Sequence, residues 1–159
     1  MLWRVFLVCT VIQLLIPLRM NCARFVKAAG VPCVIFDTNI LIYADRGVLS
    51  AKDLIMNTQE RSISAVTYME YVPFCRNKRE LAVFEKMLKA LQFTIHEIDH
   101  SISYHARQIV RQYALSHSVE MGDALIAATA LKNHELLCTS NAKHFTPISG
   151  LKLEHYTPN

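Results

Sequence analysis

The sequence predicts an α/β protein, a three-layer α/β/α sandwich with a central, mostly parallel sheet. Short apolar runs typical of buried strands alternate along the chain with longer segments of helical periodicity. Strands separated by helices pair in parallel, and the helices cover both faces of the sheet. The chain has 159 residues, the size of one domain, and with 52% hydrophobic and 19% charged residues it is not of the disordered class.

The first half of the predicted domain contains two strands and two helices. Cys33–Phe36 is a continuous apolar run, as expected of a buried parallel strand, and a helix is predicted from Thr38 to Ala44. Ser62–Val66 is the second predicted strand, and Thr67 is the predicted N-cap of the helix that follows it. Pro73 is expected to kink this second helix or to end it early.

The second half continues the alternation. Apolar residues three and four positions apart predict an amphipathic helix ending near Leu91, and Asp99 is the predicted N-cap of another helix. The segment Ala124–Leu131 is apolar almost all round, which predicts a helix buried on most of its surface. The remaining predicted strands are Phe93–Ile95, Leu136–Thr139 and Leu151–Leu153.

Residues 1–30 form an apolar N-terminal extension that we place outside the predicted fold, which occupies residues 31–159. The extension carries four Lys and Arg and no acid, so it accounts for the whole net charge of +4. Its apolar run, Val5 to Leu18, is shorter than the roughly 20 residues of a membrane-spanning helix, so membrane association is not expected. The run resembles a secretory signal, but a true start at Met20 is the favoured interpretation, because the first strand begins only after Pro32.

The charge balance and the cysteines exclude several classes of protein. Beyond residue 30, 13 Lys and Arg face 13 Asp and Glu, so a domain-wide basic surface for nucleic acid is not present. Five cysteines without a C-x-x-C pair argue against a disulfide framework or a zinc knuckle. Buried thiols in a reducing cytoplasm are the expectation.

Four polar residues follow strands or open helices in otherwise apolar surroundings: Asp37, Glu70, Asp123 and Asn141. The carboxyl ends of parallel strands meet at one edge of the sheet, where ligands bind. Carboxylate and amide oxygens suit Mg²⁺ or Mn²⁺. Taken singly, Asp37 fits a helix cap equally well, Glu70 a solvated helix face and Asn141 a turn. Asp123 is the hardest to explain structurally, because it opens the most apolar helix of the chain.

Four segments, in order, resemble PIN-domain proteins of the VapC toxin type, and the resemblance covers about residues 32–153. The segments are Val34–Leu41, Ile63–Glu70, Gly122–Ala130 and Thr139–Phe145.

The resemblance implies a divalent-metal-dependent endoribonuclease, the toxin of a toxin–antitoxin pair, with RNA as substrate, a cognate antitoxin as partner and a homodimeric state. It makes Asp37, Glu70 and Asp123 ligands of Mg²⁺ or Mn²⁺ and catalytic residues, with Asn141 as a weaker fourth ligand. Thr38 and Asn39 match positions that organise the site. The alternative is a non-catalytic PIN-fold module that binds RNA or protein.

Other polar residues carry weaker signals. His96–His100 fits the zinc motif H-E-x-x-H, but the predicted strand and N-cap there would keep the two imidazoles apart. Glu120 lies one helical turn before Asp123 and could join the acidic cluster. His144 could assist substrate binding, although a polar loop residue is the favoured interpretation. The basic stretch Arg76–Arg79 is either an RNA contact or a solvated turn.

Overall fold

A five-stranded, entirely parallel sheet forms the centre of the protein. The computed structural model describes residues 33–158, and the strands lie in the spatial order β3-β2-β1-β4-β5. The strands are β1 Cys33–Phe36, β2 Glu60–Ser64, β3 Thr94–His96, β4 Leu136–Thr139 and β5 Leu153–His155.

Seven α-helices and one 3₁₀ helix connect these strands within residues 33–158. The α-helices are α1 Thr38–Asp45, α2 Leu49–Asn57, α3 Ala65–Tyr71, α4 Lys78–Ala90, α5 His100–His117, α6 Met121–Asn133 and α7 Ala142–Phe145. The 3₁₀ helix, Val72–Phe74, contains Pro73 and follows α3 directly, which confirms the prediction that this helix ends early.

Two apolar cores, one on each face of the sheet, make the three layers. Alternate strand residues point to opposite faces. Ile35 and Leu137 therefore pack against α5, α6 and α7, whereas Phe36 and Cys138 pack against α1, α2 and α4. The predicted α/β/α sandwich is confirmed, and the sheet is parallel throughout.

The second strand is shifted from its predicted position. β2 ends at Ser64, and the Ser64 hydroxyl accepts a hydrogen bond from the Val66 N–H and so caps α3. The prediction that the strand reaches Val66 and that Thr67 is the cap was wrong. Ala65 and Val66 are apolar residues that fit the end of a strand or the first turn of a helix equally well.

The H-E-x-x-H segment is not a helical zinc motif. His96 ends β3 and His100 begins α5, with Asp99 between them as N-cap, as predicted. His96 Nε2 instead lies 2.9 Å from Oε1 of the buried Glu135, which the Ser62 hydroxyl also contacts. Burial tends to raise the pKa of Glu135, but the hydrogen bonds from His96, Ser62 and Cys33 outweigh it and hold the pKa below its usual value.

No helix within residues 33–158 combines the length and the apolar character that crossing a membrane requires. The predictions for the N-terminal extension, residues 1–30, fall outside the described residues.

Candidate active site

The candidate site lies at the point in the sheet where the strand order reverses. From β1 the chain proceeds to β2 and β3 on one side, then returns to β4 on the other side of β1. This arrangement opens a crevice at the carboxyl ends of β1 and β4, the usual ligand position in open parallel sheets. Asp37 directly follows β1, and Thr139 ends β4.

Asp37 is buried and held rigidly. Only 5% of the residue is exposed, and its backbone N–H extends the β1–β4 pairing by donating to the Cys138 carbonyl at 3.0 Å. Oδ1 accepts from the Thr38 N–H at 2.7 Å, and Oδ2 accepts from the Thr139 hydroxyl at 2.6 Å. Asp37 therefore caps α1 and also presents a carboxylate in the crevice, so the two interpretations from sequence are compatible.

The electrostatic environment of Asp37 disfavours its charged form. Burial raises the pKa of Asp37 from 3.8 to about 6, against the opposing effect of the hydrogen bonds from Thr139 and the Thr38 N–H. The negative charges of Glu70 and Asp123 raise this pKa further. Glu70 and Asp123, two of the acids predicted from sequence, are therefore both close enough to Asp37 to disfavour its charge.

This raised pKa predicts how the stability of the metal-free protein depends on pH. Because the folded state holds its proton to a higher pH than the unfolded chain, the free energy of unfolding should fall as pH rises from about 4 to 6. The contribution of this one group is about 3 kcal/mol. Urea unfolding in EDTA across this range measures it, with Asp37→Asn as the variant that should lose this part of the slope. An equal slope in both proteins would contradict the prediction.

Glu70 reaches the crevice from α3. The Thr38 hydroxyl donates a hydrogen bond to Glu70 Oε2, so the residue after Asp37 positions the second acid. This contact agrees with the organising role expected of Thr38. Glu70 Oε1 lies against Gly122 in the first turn of α6, next to Asp123. Glu70 is exposed, but it faces the crevice and not open solvent alone.

Asp123 and Asn141 both lie close to His144. His144 Nδ1 lies 2.9 Å from Asp123 Oδ2 and 3.1 Å from the Asn141 side-chain amide. An ionised carboxylate only accepts hydrogen bonds, so the Nδ1–H donates to Asp123; the Asn141 amide nitrogen, itself a donor, is then a neighbour of Nδ1 and not its hydrogen-bond partner. The Asn141 backbone N–H donates to the Thr139 hydroxyl at 2.9 Å, which links Asn141 to the partner of Asp37.

His144 therefore lies at the candidate site, and it does so from helix α7 and not from the loop that the sequence favoured. It is 21 positions from Asp123 in sequence, so only the fold shows the contact. The one available signal was its place within the segment that supplies Asn141.

Other candidates are less closely involved. Glu120 is exposed and precedes α6, and its backbone N–H donates to Asp123 Oδ2 at 3.3 Å. Asn39 lies in the first turn of α1, and within residues 33–158 the structure gives it no hydrogen bond to the three acids. Arg76 forms an ion pair with Glu80 on the following helix, which favours the solvated turn over an RNA contact there.

The donor set fits a divalent cation in its chemistry. It offers three carboxylates and an amide, and within residues 33–158 no Lys or Arg forms an ion pair with Asp37, Glu70 or Asp123. As the side chains stand, no three His, Cys, Asp or Glu residues of the described chain converge on one ion-sized point. Each carboxylate makes a protein hydrogen bond instead, so binding would require side chains to rotate from these positions.

An α/β/α fold with an acidic site at the reversal point of its sheet defines the class of this protein. The chain belongs to the PIN domain family, whose model matches residues 34–147.

Its relatives are of the VapC type, as the sequence motifs predicted. The chain is 29% identical over 123 residues to Ribonuclease VapC10 of Mycobacterium tuberculosis, covering 75% of this chain and 90% of that protein. A toxin–antitoxin complex from Klebsiella pneumoniae contains a chain 28% identical to it, with a TM-score of 0.61 and coverage of 79% and 98%. The DNA-bound VapBC complex from Salmonella typhimurium matches in fold, with a TM-score of 0.65, 24% identity and coverage of 79% and 99%.

Proposed function

We propose that this protein is a divalent-metal-dependent endoribonuclease and the toxin of a toxin–antitoxin pair. The observation that carries the proposal is the placement of Asp37, Glu70 and Asp123 around one crevice, where burial and the two neighbouring acids raise the pKa of Asp37 to about 6. A cluster of acids without a paired Lys or Arg is costly for the fold alone, and a cation would relieve that cost. The 29% identical relative is a ribonuclease by name.

The proposed cofactor is Mg²⁺ or Mn²⁺, held by Asp37, Glu70 and Asp123 with Asn141 as a weaker ligand. Such an ion lowers the pKa of a water molecule and neutralises charge on the scissile phosphate. Thr139 and the Thr38 N–H orient Asp37, and the Thr38 hydroxyl orients Glu70. His144 orients Asp123 through its Nδ1–H. These partners hold the oxygens in place, as outer hydrogen bonds do in metal sites.

A non-catalytic module that binds RNA or protein is the alternative. The full set of Asp37, Glu70, Asp123 and Asn141 favours the enzyme, because a pure binding module has no use for repelling carboxylates. An assay of purified protein on RNA, with and without Mg²⁺ or Mn²⁺, separates the two functions directly.

The proposed partners are a cognate antitoxin and a second copy of this chain. An antitoxin segment that supplies an Arg to the carboxylates would block the crevice by a charge-assisted, bidentate hydrogen bond. Exposed apolar side chains beside the edge strand β3, namely Met69, Ile95 and Ile98, offer a surface that a second copy could bury. Light scattering on the purified protein measures its molar mass and so tests for the homodimer. We propose the cytoplasm as the location of the protein.

The toxin assignment predicts growth arrest. Expression of the chain in a bacterial host without its antitoxin should stop growth, because uncontrolled RNA cleavage is harmful. Expression of Asp123→Asn at the same level should not. Co-expression of a small antitoxin encoded next to this chain should restore growth. Normal growth with abundant wild-type protein would contradict the toxin assignment and leave the nuclease to be tested on its own.

A further inference from the structure

We propose that Gly122 is a positioning residue of the site: its missing side chain leaves the space that the Glu70 carboxylate occupies. The inference rests on the proposed function, in which Glu70 is a metal ligand. The observation is steric. A Cβ built at Gly122 would lie 2.6 Å from Glu70 Oε1, well inside van der Waals contact.

The backbone does not explain the glycine. Gly122 is the second residue of α6, in ordinary helical conformation, whereas Gly47 and Gly150 are the glycines with positive φ among the described residues. Alanine is a better helix former than glycine by up to about 1 kcal/mol, so local propensity favours a side chain here. The reason for a glycine must lie in what surrounds it.

Glu70 is the one neighbour that a methyl group would displace. The next nearest atoms within the described chain, Glu70 Cδ at 3.8 Å and Val66 Cγ1 at 3.9 Å, are at ordinary contact distance. A methyl group therefore meets only the tip of a flexible side chain, and the fold can accommodate it easily.

The site cannot accommodate it so easily, because Glu70 is held from both sides. Oε2 accepts the hydrogen bond of the Thr38 hydroxyl, while Oε1 lies over the first turn of α6. The helix dipole at that turn favours a carboxylate. Oε1 and Oε2 belong to one carboxylate, so moving Oε1 away from Gly122 disturbs the bond that Thr38 makes to Oε2. We therefore expect alanine at position 122 to be tolerated by the fold but not by the metal site.

The experiment compares wild type with Gly122→Ala, Glu70→Ala and the double variant. Met121→Ala is the matched control, because Met121 is the exposed neighbour in the same helical turn. Mn²⁺ affinity is measured by calorimetry, RNA cleavage with Mn²⁺, and thermal unfolding in EDTA. Gly122→Ala should keep or raise the melting temperature, weaken Mn²⁺ binding by about tenfold or more, and reduce cleavage. Met121→Ala should behave as wild type.

The double variant tests whether Gly122→Ala lowers Mn²⁺ affinity by displacing Glu70. With no Glu70 side chain to displace, Gly122→Ala should cause no further loss of Mn²⁺ affinity in the Glu70→Ala background. An equal loss in both backgrounds, or unchanged affinity in Gly122→Ala alone, would overturn the proposal.

Crystal structures of wild type and Gly122→Ala without metal provide a readout that does not depend on the proposed function. The positioning role requires Glu70 Oε1 to move until it is at least 3.4 Å from the new methyl carbon, with the α6 backbone unchanged. A shifted helix and an unmoved Glu70 would refute it. If wild type binds no Mn²⁺ and yet Glu70 is displaced, the proposed function fails and the positioning role stands.

Discussion

Asp37→Asn is expected to lower the rate of RNA cleavage by about 10²–10⁴-fold while the protein stays folded. A metal site contributes several kcal/mol to stabilising the transition state, and each 1.36 kcal/mol corresponds to a factor of ten. Asparagine keeps the size of the side chain and still accepts from the Thr38 N–H, and the Thr139 hydroxyl can rotate to accept from the new amide. Asp123→Asn should have the same effect, since His144 can donate to the asparagine oxygen.

Measuring the stability of the variants shows whether a loss of cleavage comes from lost catalysis or from unfolding. Without metal, Asp37→Asn removes a buried charge whose pKa is about 6, so the variant should match or exceed wild type at pH 7. Circular dichroism and thermal unfolding in EDTA measure this. Asp53→Asn on the exposed face of α2 is the matched control and should cleave RNA as wild type does. Full cleavage by both active-site variants would refute the site assignment.

The main features of the fold were predictable because they follow from short-range patterns. The apolar run Cys33–Phe36 ends abruptly at Asp37, and this fixes both a buried strand and an acid at its carboxyl end. Asp99 and Pro73 mark a helix start and a helix end by backbone chemistry that does not depend on tertiary contacts. The order of the strands could not be predicted in this way, because it depends on pairings between distant segments.

Boundaries were less predictable where one residue fits two structures. Ser64 is both the last residue of β2 and the N-cap of α3, so the strand does not continue to Val66, which packs in the core as a residue of α3. β5 begins at Leu153 and not at Leu151, because its register is set by pairing with β4. Glu135 presents the same difficulty at a single residue: a charged side chain next to a strand is normally exposed, yet here it is buried against Ser62 and His96.

The acids of the candidate site could be proposed from sequence because each stands where an apolar pattern breaks. Their partners could not. The hydroxyl of Thr139 contacts Asp37 across 102 positions, and Glu70 lies against Gly122 across more than fifty. In the sequence these residues look like ordinary strand and helix residues. Their contacts with the acids arise only when the fold brings β1, β4, α3 and α6 together.

The contact between His144 and Asp123 makes a metal-free mechanism a concrete competitor. Ribonucleases that use the substrate's own 2′-hydroxyl as nucleophile need a general base and a general acid, commonly Glu and His. Within the candidate site, as the described residues form it, Glu70 and His144 are the Glu and the His available for those roles. Such a reaction leaves a 2′,3′-cyclic phosphate and cannot proceed on a 2′-deoxy nucleotide.

We expect different product ends and no requirement for the 2′-hydroxyl. Attack by a water molecule should release a 5′-phosphate and a 3′-hydroxyl, and an end-labelled RNA with one 2′-deoxy substitution at the scissile nucleotide should be cut at a similar rate. EDTA should remove cleavage altogether, and Mg²⁺ or Mn²⁺ should restore it, because in the proposed mechanism the bound cation is what lowers the pKa of the attacking water. His144→Ala should slow the metal-supported reaction by about 10–100-fold, as loss of an outer hydrogen bond does, without changing the products. Cyclic-phosphate ends, or cleavage that survives EDTA, would instead assign the chemistry to Glu70 and His144 acting as base and acid.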